Sequence, residues 1–237
     1  MKWWFMKNPI SDFKRMILTA AFGLFFICGF AQEDYPKTFG HDYERAVQFF
    51  EKKKWMDEVI FSQGLNPKEV KAIVFPELIR YSALQDKLET FALESLYVRY
   101  GKAYANFSIG EFQIKPSFAE KIEIDFLNLL GDSEIGVRSK DTIQNTTNRA
   151  ARVKRLKDKK AMLNYLLMFF KVMEKKYPIW NTTENKIKFF ACAYNANYQK
   201  PDKEIFSLIS KKFFTTGLIS PTKYCYPDIS LYYFLDQ

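Results

Sequence analysis

A capped helix that carries a carboxylate in its buried stripe begins near residue 66. Asn66 is a preferred N-cap residue, and Pro67 suits the first helical position, where its missing N–H is not needed. Val70 and Val74 lie on one apolar face, and Glu77 continues that face at helical spacing. Because burial disfavours an ionised carboxylate, the pKa of Glu77 should rise. A carboxyl that is protonated near neutral pH can act as a general acid.

A purely structural role for Glu77 is the open alternative. It can form a salt bridge with Arg80 or Lys71, which would keep it ionised. It can also lie at a helix end that reaches solvent, and Pro76 favours that arrangement because a proline inside a helix kinks or ends it.

Helical spacing dominates the chain after residue 41. With 237 residues, 48% of them hydrophobic, the chain can form one domain with a buried core. Residues 102–114 lack helical spacing and contain Gly110, which predicts a loop with a short strand, whereas residues 132–148 suit a polar connector. We predict a mainly α fold with a long helix at 147–176 and an extended tail at 218–237. Further helices are predicted at residues 42–61, 82–100, 116–131, 184–196 and 202–214.

The first 31 residues form a separate unit of the sequence. Basic residues precede an uncharged apolar run from Met16 to Ala31, and the small residues Gly29 and Ala31 stand before a cleavage point at Gln32. This pattern is typical of a secretory signal peptide, with an uncleaved N-terminal anchor as the alternative. We therefore expect residues 32–237 to be one exported domain in the periplasm or cell envelope.

Cysteine and histidine usage restricts the chemistry. Removal of the signal peptide removes Cys28 and leaves Cys192 and Cys225, an even pair in a compartment that permits disulfides. Two alternatives stay open: a disulfide between them, or two free thiols. His41 is the single histidine, which excludes an HExxH zinc site. No P-loop, GxGxxG or GxSxG pattern is present, and no metal or cofactor is predicted. Carboxylate catalysis is the main enzymatic option left.

The mature chain is moderately basic. Residues 1–31 contain four Lys or Arg residues and one Asp, a net charge of +3. Their removal leaves the mature chain with +6 of the formal +9 charge. Much of this excess lies in Arg149–Lys160, a segment that suits an anionic envelope surface. A solvated helix face is the open alternative. Nucleic acid is not expected, because the segment lacks interleaved aromatic residues.

Three short motifs occur in order along the chain. They are Ala72–Glu77, which ends in the buried carboxylate, Ser108–Ile114, which contains Gly-Glu-Phe-Gln, and Ala191–Asn197, which contains Ala-Tyr-Asn-Ala. The set resembles the lysozyme-like lytic transglycosylases of the soluble-lytic-transglycosylase type and, more distantly, the goose-type lysozymes. Those proteins carry an Ala-Ile-x-x-x-Glu helix, then Gly-Leu-Met-Gln, then Ala-Tyr-Asn-Ala-Gly.

The resemblance implies a lysozyme-like helical domain that cleaves the β-1,4 glycosidic bond of peptidoglycan glycan strands. Glu77 takes the position of the catalytic acid and base. A transglycosylase would use it to deprotonate the sugar's own 6-hydroxyl, whereas a lysozyme would use it to activate water. The implied substrate-binding residues are Ser108, Gly110, Phe112, Gln113, Tyr194 and Asn195.

The spacing of the motifs leaves a second candidate for the acid. Glu77 lies 36 residues before Gln113, about twice the distance usual in the transglycosylases, and Leu78 follows it where the family has Ser. Glu94 is followed by Ser95 and lies 19 residues before Gln113, but it lacks the Ala-Ile approach. We expect Glu77 to be the acid and keep Glu94 as the alternative.

A non-catalytic envelope protein with a degenerate lysozyme-like cleft is the second functional hypothesis. It would bind glycan or serve a structural role in the envelope. In an enzyme, Glu77 should line an open cleft beside Gln113 and Tyr194 with no basic partner. In a binding or structural protein, Glu77 should be ion-paired or closed off from solvent.

Overall fold

The computed structural model describes residues 33–83, 88–131, 135, 138–216 and 222–236. The predicted signal peptide or anchor, residues 1–31, lies outside these ranges. Across the described ranges, no helix combines the length and the apolar character that crossing a membrane requires.

The fold is mainly α, as predicted. In the part of the chain that the structure describes, eleven α-helices and one short 3-10 helix, Ser139–Thr142, follow one another. The α-helices are α1 Tyr35–Phe39, α2 His41–Glu51, α3 Trp55–Ser62, α4 Pro67–Ala83, α5 Leu88–Tyr100, α6 Pro116–Leu130, α7 Thr146–Lys157, α8 Lys159–Lys176, α9 Thr183–Ala196, α10 Asp202–Leu208 and α11 Tyr226–Asp236.

The predicted start of α4 is confirmed. The Asn66 Oδ1 accepts a hydrogen bond from the backbone N–H of Lys68 at 3.0 Å, which satisfies one of the free donors at the helix N-terminus. Pro67 is the first helical residue. Pro76 does not end the helix, which continues to Ala83. Glu77 therefore lies inside a continuous helix and not at a helix end.

The predicted helix at 147–176 is two helices, so that prediction is wrong. Asp158 separates α7 from α8 with an extended backbone, at φ −84° and ψ 128°. Its side chain accepts a hydrogen bond from the backbone N–H of Ala161 at 2.9 Å. An aspartate stabilises a new N-terminus in this way more than it stabilises a helix interior, which explains the break.

The predicted extended tail is also wrong, because α11 occupies Tyr226–Asp236. Pro227 lies in the first turn of this helix, where a proline is tolerated. The predicted helix at 202–214 ends instead at Leu208. Beyond it, the backbones of Phe214 and Tyr224 form an isolated antiparallel bridge that leads into α11.

The core forms around α4 and α8. Helix α8 is buried from Met162 to Phe170 except at Asn164, which confirms the central position predicted for this apolar segment. Helix α4 packs against α2, α9 and α11, and α6 packs against α8. These contacts bring together α4 and α9, which carry the first and third motifs.

Candidate functional site

Glu77 is buried, with 3% of its surface exposed. The residues around it on α4, Phe75, Leu78 and Ile79, are buried as well, so the helix is covered on nearly every face here. The predicted position of this carboxylate on a buried apolar face is therefore confirmed.

Arg80 is the basic partner of Glu77. Its Nη1 lies 3.1 Å from Oε2 of Glu77, one turn earlier on α4. Its Nε donates to the backbone carbonyl of Thr215 at 2.9 Å, and its guanidinium lies 4.1 Å from the centre of the Phe214 ring. The arginine is thus held mainly by the segment before α11, and it meets the carboxylate at one oxygen.

Burial nevertheless dominates the ionisation of Glu77. Loss of solvent raises the pKa of its carboxyl from 4.5 to about 7, although the positive charges of Arg80 and Lys115 and the hydrogen bond from Arg80 act to lower it. Both protonation states of Glu77 are therefore populated near neutral pH, which is the condition for a group that first donates and then accepts a proton.

Two buried tyrosines surround the carboxyl. The hydroxyl of Tyr194 donates to the carbonyl of Phe112 at 2.8 Å, and the hydroxyl of Tyr226 donates to the carbonyl of Ile73 at 2.9 Å. Burial and the charge of Glu77 raise the pKa of both phenols. The charge of Glu77 thus reaches Tyr194, whose hydroxyl contacts the backbone of the Ser108–Ile114 motif.

Tyr226 is the site residue that the sequence interpretation missed. It lies at the first position of α11, in the tail that was predicted to be extended. The one local signal was Pro227 directly after it, since a proline is common in the first turn of a helix.

The second motif forms a tight hairpin. The backbones of Ile109 and Ile114 exchange two hydrogen bonds, of 3.0 and 3.1 Å, which matches the predicted loop with a short strand. Gly110 has φ +68°, and a Cβ there would lie 2.7 Å from the carbonyl oxygen of Leu156. Only glycine fits this position, because both the backbone angle and the space exclude a side chain.

Two predicted substrate residues of the hairpin have internal partners. The Phe112 side chain is fully buried, so its backbone carbonyl, and not its ring, takes part in the site. Gln113 has a left-handed backbone, with φ +52°, and its Nε2 donates to the carbonyl of Gly110 at 2.9 Å. The amide nitrogen of Gln113 therefore stabilises the hairpin, which leaves its carbonyl oxygen as the atom that a substrate could use.

Ser108 of the hairpin and Asn195 of α9 are both partly exposed. Asn195 follows Tyr194 on α9, and its Nδ2 is buried without a hydrogen-bond partner among the described residues. Such a donor lowers stability unless it gains an acceptor, which a ligand can supply. The substrate-binding role of Ser108 and Asn195 stays a prediction.

The alternative acid Glu94 lies elsewhere in the helical framework. It is on α5 and forms a salt bridge of 2.9 Å with Lys157 on α7. Helix α5 packs against α7, whereas Glu77 is on α4, which packs against α9 and α11. The structure thus brings Glu77, and not Glu94, to the Tyr194 motif.

Cys192 and Cys225, both within the described residues, are free buried thiols, so the bridge left open by the sequence is absent. The Cys192 thiol donates to the carbonyl of Ile205 at 3.4 Å, and the Cys225 thiol donates to the carbonyl of Ile209 at 3.1 Å. Burial raises the pKa of Cys192 to about 11, which keeps that thiol protonated and unreactive.

The basic segment Arg149–Lys160 is largely used inside the fold. Arg152 is fully buried and binds Glu123 of α6 through contacts of 2.6 to 3.1 Å. Arg155 also binds Glu123, at 3.0 Å, and Arg149 donates to the carbonyl of Val98 at the end of α5. Binding of this segment to an anionic envelope surface therefore stays a prediction. It now rests mainly on the exposed side chains Lys154 and Lys160.

Within the described residues, no group of three or more His, Cys, Asp and Glu side chains is arranged to hold a metal ion. No protein-family model, no curated protein and no solved structure matches the chain. The resemblance to the lytic transglycosylases therefore stays a prediction that rests on the residues themselves.

Proposed function

We propose that the chain cleaves the β-1,4 glycosidic bond of peptidoglycan with Glu77 as the single general acid and base. The observation that carries this proposal is the raised proton affinity of Glu77, whereas its burial and its ion pair with Arg80 differ from the open, unpaired acid expected of an enzyme. Its pKa is raised to about 7 by burial, and it lies beside Tyr194, whose hydroxyl holds the hairpin carbonyl of Phe112. A buried acid on the first motif and a hydrogen bond between the second and third motifs support the proposal.

In this mechanism, protonated Glu77 donates its proton to the glycosidic oxygen while an oxocarbenium-like transition state forms. The carboxylate that results accepts a proton either from the 6-hydroxyl of the same sugar, which gives an anhydro product, or from water. Arg80, with Nη1 at 3.1 Å, stabilises this carboxylate in the second half of the reaction.

Cleavage by Glu77 requires a local movement that exposes its carboxyl to substrate. The carboxyl is only 3% exposed, and Arg80 is held by the carbonyl of Thr215 and the ring of Phe214.

Glycan release tests the proposal. The mature protein, Glu77→Gln and Glu94→Gln would each be incubated with purified peptidoglycan, and soluble muropeptides would be identified by mass spectrometry. We expect release by the wild type and by Glu94→Gln, and none by Glu77→Gln. Equal release by the wild type and Glu77→Gln would refute the role of Glu77. Anhydro ends would assign a transglycosylase, and reducing ends a hydrolase.

A non-catalytic glycan-binding protein is the second candidate, and a specific observation favours it. Glu77 is ion-paired with Arg80 and closed off from solvent, which is the arrangement expected of a binding or structural protein. In that case the wild type would retain peptidoglycan in a sedimentation assay but release no muropeptide. The same pair of measurements therefore separates the two functions.

A further inference from the structure

Two lysines from distant parts of the chain meet at the tip of the hairpin. Lys159 is the first residue of α8, and its Nζ lies 3.8 Å from Oε1 of Glu111 in the hairpin. Lys53 lies in the short break between α2 and α3. Burial and the nearby charge of Lys159 lower the pKa of Lys53, while Glu111 opposes this shift. The three charges therefore form one cluster.

Lys53 is held in this position by an aromatic contact. Its Nζ lies 3.7 Å from the centre of the Phe49 ring and donates to the Phe49 carbonyl at 3.4 Å. Phe49 in turn packs against Phe112 of the hairpin, with 6.0 Å between ring centres. Lys53 is therefore fixed to the hairpin and is less free to turn away from Lys159 than an ordinary surface lysine.

The cluster has an excess of positive charge and faces solvent. Lys159 forms a salt bridge with Glu111 whose 3.8 Å separation is long, and Lys53 lies within the field of the same carboxylate. About half of the Lys159 side chain is exposed, at 53%. Such a pair of cations is stabilised by a further anion, because like charges at short distance repel each other.

The hairpin links this cluster to the Tyr194 motif. Glu111 contacts Lys159, and its neighbour Phe112 packs against Phe49 and accepts the hydrogen bond of the Tyr194 hydroxyl at 2.8 Å. Lys115, just after the hairpin, also attracts the Glu77 carboxylate. The cluster therefore lies on the same hairpin that contacts the proposed site.

We propose that Lys53 and Lys159 bind a carboxylate of the glycan next to the bond that Glu77 cleaves. This inference rests on the proposed function. A peptidoglycan strand offers carboxylates of two kinds: the lactyl ether group of every second sugar, which is free where no peptide is attached, and the carboxylates of the attached peptides. A neutral chain of N-acetylglucosamine offers neither, so the lysines should discriminate against it.

Calorimetric binding tests this site separately from cleavage. The ligands would be three tetrasaccharides: one of N-acetylglucosamine, one peptide-free with lactyl carboxylates, and one with peptides attached. The protein would carry Glu77→Gln so that no ligand is consumed. Lys53→Gln, Lys159→Gln and the double substitution would be compared with Lys203→Gln, a control at an exposed position of α10.

We expect each lysine substitution to weaken binding of a carboxylate-bearing ligand about threefold, and the double substitution about tenfold. The lysine substitutions should not change binding of the neutral ligand, and Lys203→Gln should not change binding of any ligand. The losses of affinity should shrink at high salt. Losses with the peptide-free ligand would identify the lactyl carboxylate as the bound group, and losses with the peptide-bearing ligand would identify a peptide carboxylate. Equal affinity of the double variant and its parent for both acidic ligands, or equal losses on the neutral ligand, would overturn the proposal. Because no cleavage is measured, these results stand whether or not the wild type is an enzyme.

Discussion

The raised pKa of Glu77 makes stability depend on pH with a sign opposite to that of an ordinary salt bridge. Folding moves the carboxyl pKa from 4.5 to about 7. The folded state thus keeps its proton to higher pH than the unfolded state. Stability contributed by this group is fully present below about pH 4.5 and is lost as pH rises through about 7.

The magnitude follows from the shift. About 2.5 pKa units at about 1.4 kcal/mol each give a loss of about 3 kcal/mol between acidic and mildly alkaline pH. Glu77→Gln removes the titrating group but keeps its size and a hydrogen-bonding oxygen. The substitution also removes the ionised partner of Arg80. This changes the unfolding free energy of Glu77→Gln by an amount that does not follow the titration.

Urea unfolding at a series of pH values measures the effect. The unfolding free energy of the wild type, minus that of Glu77→Gln, should fall by about 3 kcal/mol from about pH 4.5 to about pH 8. Glu58→Gln, at an exposed position of α3, shows how much of any slope comes from removing one surface carboxylate.

Two outcomes would refute the reasoning. A difference that stays constant with pH would mean that folding does not move the pKa of Glu77. A difference that rises with pH would mean that the attraction of Arg80 exceeds the effect of burial. The second result would also remove the main support for Glu77 as a general acid.

Four other substitutions test the structural basis of the site and its framework. Gly110→Ala should destabilise the fold by at least about 2 kcal/mol in urea unfolding, because it strains a positive φ and places a Cβ 2.7 Å from the Leu156 carbonyl oxygen; a neutral effect would contradict the hairpin geometry. Arg152→Met should cost about 3–5 kcal/mol, since it leaves Glu123 buried without its main partner, and unchanged thermal unfolding would disprove that pairing. Asp158→Ala should cost about 1 kcal/mol through loss of the α8 cap, checked by urea unfolding, and a gain in stability would argue for one continuous helix. Tyr194→Phe should cost about 1 kcal/mol in the same assay and lower muropeptide release, whereas full activity with full stability would show that its bond to the Phe112 carbonyl is dispensable.

Local signals in the sequence were sufficient for the main features of the site. The cap at Asn66 and the spacing of the apolar residues predicted both the helix and the burial of Glu77, because these depend on short-range geometry. The order of the motifs predicted that Glu77 and Tyr194 would meet. Arg80 was named as a partner but could not be chosen over Lys71, since the choice depends on how Phe214 and Thr215 fold back onto α4.

Other features depend on partners far away in the sequence. Nothing local distinguishes Arg152 from its basic neighbours, and its complete burial follows from Glu123, which lies 29 residues earlier. The basic segment was for that reason interpreted as a surface. The tail was interpreted as extended because its tyrosines and prolines favour turns, whereas packing against α4 and α9 stabilises α11 as a helix.

The hydrogen bond from Tyr226 to Ile73 joins residues that are 153 positions apart. During synthesis, the ribosome completes α4 long before it adds Tyr226. In a nascent chain, Glu77 is therefore still exposed to water, and its carboxyl ionises as it would in a peptide. Because α11 packs against α4, the burial that raises the proton affinity of this acid is complete only after a helix translated more than 140 residues later has docked.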